Sequence, residues 1–278
     1  MGLTPIRPDA PVPGDGGRCG DIPMTLDDQR RASPTGMLAT TDRVALRIRR
    51  WTAEEPRAVV VLVHGFASST TDGALEHQAE ALVAAHYHVL SYDSRGHGRS
   101  NGRCTLGDLE RHDVAAAVNE ARREGLAVIL VGASMGAIAA LRYAADPAAH
   151  VDGIVAVSAP ATWRAPRSAQ GILATGLTQT RIGRALALRL MAVRVAPGWS
   201  DPLPPATLVE AIEIPTAIVH GTQDRFIPAR NGIELYRHCN EPRRLDMVPG
   251  MGHAYGVLAA APIVAATDWT LAARSAAD

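Results

Sequence analysis

Three side chains in this sequence suit nucleophilic chemistry, and each follows a segment that reads as a strand. Ser134 sits in Gly132-Ala133-Ser134-Met135-Gly136, between Ala127–Leu130, read as a buried strand, and Ala137–Tyr143, read as a helix. That is a G-x-S-x-G pattern in a strand–turn–helix context. A turn so tight brings neighbouring backbones together, and a Cβ at either glycine would clash. The hydroxyl is then exposed at a helix N-terminus, which favours developing negative charge. A serine hydroxyl is a weak nucleophile and needs a base that a third group orients. Downstream, His220-Gly221-Thr222-Gln223-Asp224 places a carboxylate after a buried strand. Pro249-Gly250-Met251-Gly252-His253 places a histidine in a flexible loop after the last strand. Ser…Asp…His is the order this kind of sheet uses.

Each residue alone has a plain structural alternative, a turn cap for Asp224 or a surface loop for His253. Jointly they point to a relay in which His253 takes the Ser134 proton and Asp224 fixes the imidazole. The oxyanion would be held by two backbone amides. One is Met135, next to the serine. The other is Phe66 in His64-Gly65-Phe66, where Gly65 lets the backbone turn inward. His220 reads as a structural hydrogen-bonder, His97 as part of a turn, and His86 and His88 as flanks of a connection. None has a metal-binding spacing, so neither metal nor cofactor is expected. Asp93–Ser100 is dense in polar groups but reads as a structural turn, with Arg95 bonding carbonyls or a carboxylate. Asp108 and Asp113 read as caps or solvated residues of a helix.

These residues need a scaffold. Met37–Thr40 and Val44–Trp51 read as two strands, the second alternating as a half-solvated edge does. Ala58–Val63 is continuously apolar, as a strand buried on both faces should be. Ala74–Ala85 reads as a helix, His88–Tyr92 as a strand and Leu106–Arg123 as a helix. Val151–Ser158, Thr216–His220 and Arg244–Val248 read as further strands, Arg230–His238 as a helix, and Tyr255–Ala273 as a last helix interrupted or started by Pro262. Alternating strands and helices imply an α/β fold with a mostly parallel sheet, with ligands beyond the strands' carboxyl ends.

Residues 1–36 are rich in Pro and Gly without apolar periodicity and read as a flexible arm. Residues 37–159 and 214–278 form the expected core. Residues 160–213 carry no strand pattern and read as a helical lid. Ile182, Leu186, Leu190 and Val193 make one apolar stripe, and Leu188, Met191 and Val195 a second. A membrane-touching helix is the competing reading, because Arg181, Arg184, Arg189 and Arg194 are interspersed. These arginines do not gather on one face.

Acidic and basic residues balance at 28 each, which gives no sign of a nucleic-acid partner. Every basic residue counted is Arg, so a lysine base or Schiff base is excluded. The three cysteines, Cys19, Cys104 and Cys239, form no C-x-x-C pair, which suits a reducing cytoplasm. No signal-peptide core and no bilayer-spanning run is read.

Over roughly residues 37–273 the chain resembles the α/β-hydrolase superfamily. The resemblance rests on His64-Gly65-Phe66, Asp93-Ser94-Arg95-Gly96-His97-Gly98-Arg99-Ser100, the Ser134 turn, His220-Gly221-Thr222-Gln223-Asp224 and Gly252-His253. It is most similar to the branch of monoacylglycerol lipases, lysophospholipases and small-capped esterases. The resemblance implies an eight-stranded, mostly parallel sheet flanked by helices with a small lid. It also implies a serine hydrolase of carboxylic esters with small to medium acyl groups or monoacylglycerol-like form. A thioesterase or C–C bond hydrolase on the same triad is the alternative, and a non-catalytic ligand-binding protein is a further one. Ser134 argues against a dehalogenase, whose nucleophile is Asp.

Overall fold

The computed structural model describes residues 35–162, 176, 178–198, 200 and 202–276. The arm expected over 1–36 lies almost wholly outside these residues, as does 163–175 of the expected lid. β1 (Thr35–Ala39) pairs antiparallel with β2 (Ala45–Trp51), Leu38 opposite Leu46. Then come β3 (Ala58–Val63), α1 (Gly73–Ala84), β4 (Tyr87–Tyr92), α2 (Arg111–Ala121), β5 (Val128–Ala133), α3 (Met135–Ala144) and β6 (Gly153–Val157). After them follow α4 (Arg181–Met191), α5 (Pro205–Val209), β7 (Thr216–Gly221), α6 (Arg230–His238), β8 (Arg243–Val248) and α7 (Ala260–Ser275).

The strands make one eight-stranded sheet in the order β1-β2-β4-β3-β5-β6-β7-β8, and only the pairs involving β2 are antiparallel. This is the α/β-hydrolase arrangement the resemblance implies. β3 shows why it has two cores. Val59, Val61 and Val63 point to one face with α2 and α3, and Ala58, Val60 and Leu62 to the other with α1 and α7. The chain leaves β3 for β4 on one side and returns to β5 on the other. Such a reversal opens a crevice at the strands' carboxyl ends. Val63 of β3 there stands beside Gly132 of β5.

Several local expectations need correction. α2 begins at Arg111, not Leu106. Leu106 and Gly107 take φ of 59° and 97°, which no helix tolerates. Glu110 organises that turn, accepting from Thr105 N at 2.7 Å, Thr105 Oγ1 at 2.5 Å and Gly107 N at 2.9 Å. Asp113 is not a cap or a solvated residue. It is fully buried and receives Arg95 through its backbone amide at 2.8 Å, Nε at 2.9 Å and Nη2 at 2.7 Å. Asp42 takes the other side of the same guanidinium at 2.7 Å. Asp108 is likewise buried, bonded to Arg111, Arg142 and Ser200. β5 runs on to Ala133, so the strand delivers the serine directly. Pro262 lies in the first turn of α7, where its missing N–H costs no helix bond.

α4 also differs from its two-stripe expectation. Thr180 caps it, Oγ1 accepting from Gly183 N at 2.9 Å. Ala192 then takes φ 55° and ends it, so the helical period never reaches Val193 or Val195. Ile182, Leu186, Leu188, Leu190 and Met191 are all exposed, while Gly183 and Ala187 are buried. Val193 and Val195 are buried beyond the helix, with Val195 bridged to Cys104. α5 belongs with the body: Val209, just before Ile212, lies in the same core as α3 and α6. Among the described residues no helix is long and apolar enough to cross a membrane.

Candidate active site

The turn after β5 holds Ser134 at φ 53°, ψ −114°, a conformation an L-residue keeps only when its surroundings impose it. Val157 O accepts its amide at 2.9 Å. Two glycines make the turn possible. A Cβ on Gly136 would stand 2.5 Å from both the Val63 and His64 carbonyl oxygens, and one on Gly132 2.6 Å from Gly136 O. α3 can therefore start directly against β3.

His253 Nε2 lies 3.0 Å from Ser134 Oγ, and His253 Nδ1 lies 2.8 Å from Asp224 Oδ2. The other carboxylate oxygen of Asp224 accepts from Phe226 N at 2.9 Å and Ile227 N at 2.8 Å. Burial alone would raise this carboxyl, but His253, the Ile227 amide and Ser158 hold it below the ordinary carboxylate range. It is therefore ionised at neutral pH, and one oxygen is committed to the imidazole. Ser134, Asp224 and His253 come from the ends of β5 and β7 and the loop after β8, so the fold brings the three together.

The histidine loop is anchored rather than flexible, which corrects the sequence reading. Met251 is buried and its carbonyl accepts Gln223 N at 3.0 Å. Ala254 N donates to Ser158 Oγ at 3.1 Å. Tyr255 is buried below, with Oη 2.9 Å from Val63 O and 3.1 Å from Val131 O. Sequence reasoning missed Tyr255 and Ser158. The apolar context of Tyr255, two residues after His253, was the available signal.

Phe66 sits beside the serine turn on the loop after β3. His64 Nδ1 donates to Gly65 O at 2.7 Å, and its Nε2 accepts from Ser94 N at 2.9 Å. His97 Nε2 accepts from Ala67 N at 3.3 Å, and the His97 ring meets Phe66 edge-on at 5.7 Å. Burial holds His64 below its usual value and pushes His97 down to about 3, so both rings stay neutral. Each then has one donor and one acceptor nitrogen, as the loop requires. Among the described residues, the Phe66 and Met135 amides donate to no backbone acceptor in these turns. Asp93–Ser100 is structural: Asp93 receives Thr70 N at 2.7 Å and Arg99 N at 2.9 Å.

Ala187 of α4 packs in one cluster with Met135, Cys104, Val193 and Val195, and Phe66 touches its edge. Phe226 flanks His253, with ring centroids 5.1 Å apart. Cavities of about 680 Å³ by Asp108 and Arg142 and about 290 Å³ by Cys104 and Arg184 lie off the serine, and neither is lined by Ser134.

The family described as Serine aminopeptidase, S33 matches residues 54–199. The monoacylglycerol lipase of Mycolicibacterium smegmatis is 30% identical over 242 residues, covering 73% of this chain and 84% of the relative. Epoxide hydrolase A of Mycobacterium tuberculosis is 33% identical over 141 residues, 49% of this chain and 41% of the relative. The Pyrococcus furiosus esterase Pf2001 superposes with a TM-score of 0.66 at 21% identity, covering 86% of this chain and 93% of the other, a likeness of fold.

Proposed function

This chain belongs to the Serine aminopeptidase, S33 family and is a serine hydrolase, and from that premise we propose that it cleaves carboxylic esters through an acyl-enzyme on Ser134. The observation that carries the reading is the unbroken chain of contacts from Ser134 Oγ to His253 Nε2 at 3.0 Å and from His253 Nδ1 to Asp224 Oδ2 at 2.8 Å. Ser134 Oγ bonds to the ester carbonyl carbon while His253 Nε2 takes its proton. The carbonyl oxygen becomes an oxyanion facing the Phe66 and Met135 amides. The intermediate then expels the alcohol, which leaves with the proton from His253. Water repeats the sequence on the acyl-enzyme, giving the carboxylic acid and restoring Ser134. Asp224 keeps the imidazole oriented and stabilises its charged form.

The acyl group is small to medium or that of a monoacylglycerol-like substrate. The name of the M. smegmatis relative, a monoacylglycerol lipase, supports the monoacylglycerol-like form of substrate. In this reading the lid includes α4, supported by the clustering of Ala187 with Met135 beside the serine. Cys104 and Cys239 are buried free thiols, which suits a cytoplasmic enzyme.

The test is hydrolysis of p-nitrophenyl esters from acetate to palmitate, with wild type beside Ser134→Ala. Activity that peaks at short or medium chains and vanishes in the folded variant is expected. A wild type inert on every ester, yet labelled by a fluorophosphonate, would move the reading to a thioester or C–C bond. Absence of labelling as well would leave a binding protein.

A further inference from the structure

His220 is fully buried at the end of β7, next to the site but outside the relay. Its Nε2 hydrogen goes to Ile227 O at 2.8 Å, which fixes the tautomer and leaves Nδ1 bare. Nδ1 is buried and has no hydrogen-bond partner among the described residues. α6 presses on the ring so closely that a Cβ at Gly232 would stand 2.9 Å from Nδ1. The Nε2 atom is 3.7 Å from Asp224 Oδ2, too far for a hydrogen bond.

A leucine would fill this space without burying a bare nitrogen, so the imidazole needs a reason. Its one hydrogen bond supplies it. The turn it holds, residues 225–228, lies at the surface, with Arg225 and Phe226 exposed and Ile227 and Pro228 half-buried. That same turn delivers the Phe226 and Ile227 amides to Asp224 Oδ1. A surface turn with little packing of its own drifts unless something ties it inward.

We infer that His220 is a positioning residue that clamps the 225–228 turn, so that two amides engage one oxygen of Asp224 and the other is left to His253. This rests on the proposed role of Asp224 as the group that orients His253. His220 itself touches neither substrate nor the reacting atoms.

The test compares His220→Leu with His220→Gln, whose amide nitrogen can donate to Ile227 O. The readouts are ester kcat and KM and the rate at which a fluorophosphonate labels Ser134. We expect Leu to lower kcat and labelling about tenfold with KM within twofold, and Gln to recover most of that loss. In an Asp224→Asn background the Leu change should cost little more, because no carboxylate remains to be placed. Equal losses in Leu and Gln, or the same Leu penalty in both backgrounds, would overturn the inference and leave a residue of packing alone. If the Leu variant fails to fold by circular dichroism, His220→Asn, too short to reach Ile227 O, takes its place. Should Asp224→Asn itself leave labelling unchanged, the assignment of Asp224 falls, and this inference with it.

Discussion

Tyr255 Oη lies 3.1 Å from the carbonyl oxygen of Val131, which joins the segment carrying His253 to the strand that ends on Ser134. The same hydroxyl lies 2.9 Å from Val63 O, at the end of the strand that leads into Phe66. One buried phenol therefore ties together three of the four pieces of backbone that the proposed reaction uses, the Asp224 turn after β7 being the fourth. Removing it leaves buried carbonyls with one donor fewer. Tyr255→Phe should lose about 1–2 kcal/mol in urea unfolding and slow phosphonate labelling of Ser134. Unchanged stability with unchanged labelling would show that the contact positions nothing.

Gly136 allows a sharper test of the serine turn. A Cβ there would meet two backbone oxygens at 2.5 Å, neither of which can rotate away. Gly136→Ala should cost about 3 kcal/mol or more, or prevent folding. Gly252, beside His253, has nothing within 4 Å of a built Cβ and no positive φ. Gly252→Ala should stay within about 0.5 kcal/mol of wild type. Thermal melts of the two variants side by side decide the matter; similar melts would mean that α3 can shift off β3.

Buried neutral histidines contribute to the response to acid. Burial lowers His64 and His220 and brings His97 to about 3, against 6.5 for an exposed ring. Between those values the unfolded chain binds protons that the folded one refuses. For His97 this stability is fully present above about pH 6.5 and is lost as pH falls toward 3, by about 1.4 kcal/mol per pH unit, and burial of His64 and His220 pushes in the same direction. Urea titrations from pH 8 to 4.5 should show a plateau and then a decline. His97→Gln should flatten the decline by one proton's worth. An identical slope in that variant would mean that His97 titrates normally.

Much of this was legible in the residues. β3 declares itself, because an uninterrupted run from Ala58 to Val63 fits only a strand buried on both faces. α6 was bounded by its own pattern at Arg230 and His238. The serine turn, Asp224 and His253 could be picked out because each follows a strand end, where the fold places ligands. What escaped notice depends on partners distant in sequence. Asp113 reads as a helix-surface acid because its partner, Arg95, lies eighteen residues earlier in the chain. Leu106 looked helical because apolar spacing does not register the turn that Glu110 enforces. α4 looked doubly amphipathic because Ala192 gives no sign in the sequence of the positive φ that stops it.

The contact between Ser134 and His253 spans 119 residues of chain. A ribosome therefore delivers the proposed nucleophile long before its proposed base, and Asp224 and β8 emerge in between. His253 gains its support only when Met251 and Tyr255 are buried against strands made much earlier. Ser134 thus waits through 119 further residues of synthesis before His253 follows it. On the proposed assignment, hydrolytic competence must wait for the loop after β8, so an active molecule is one whose last strand has already formed.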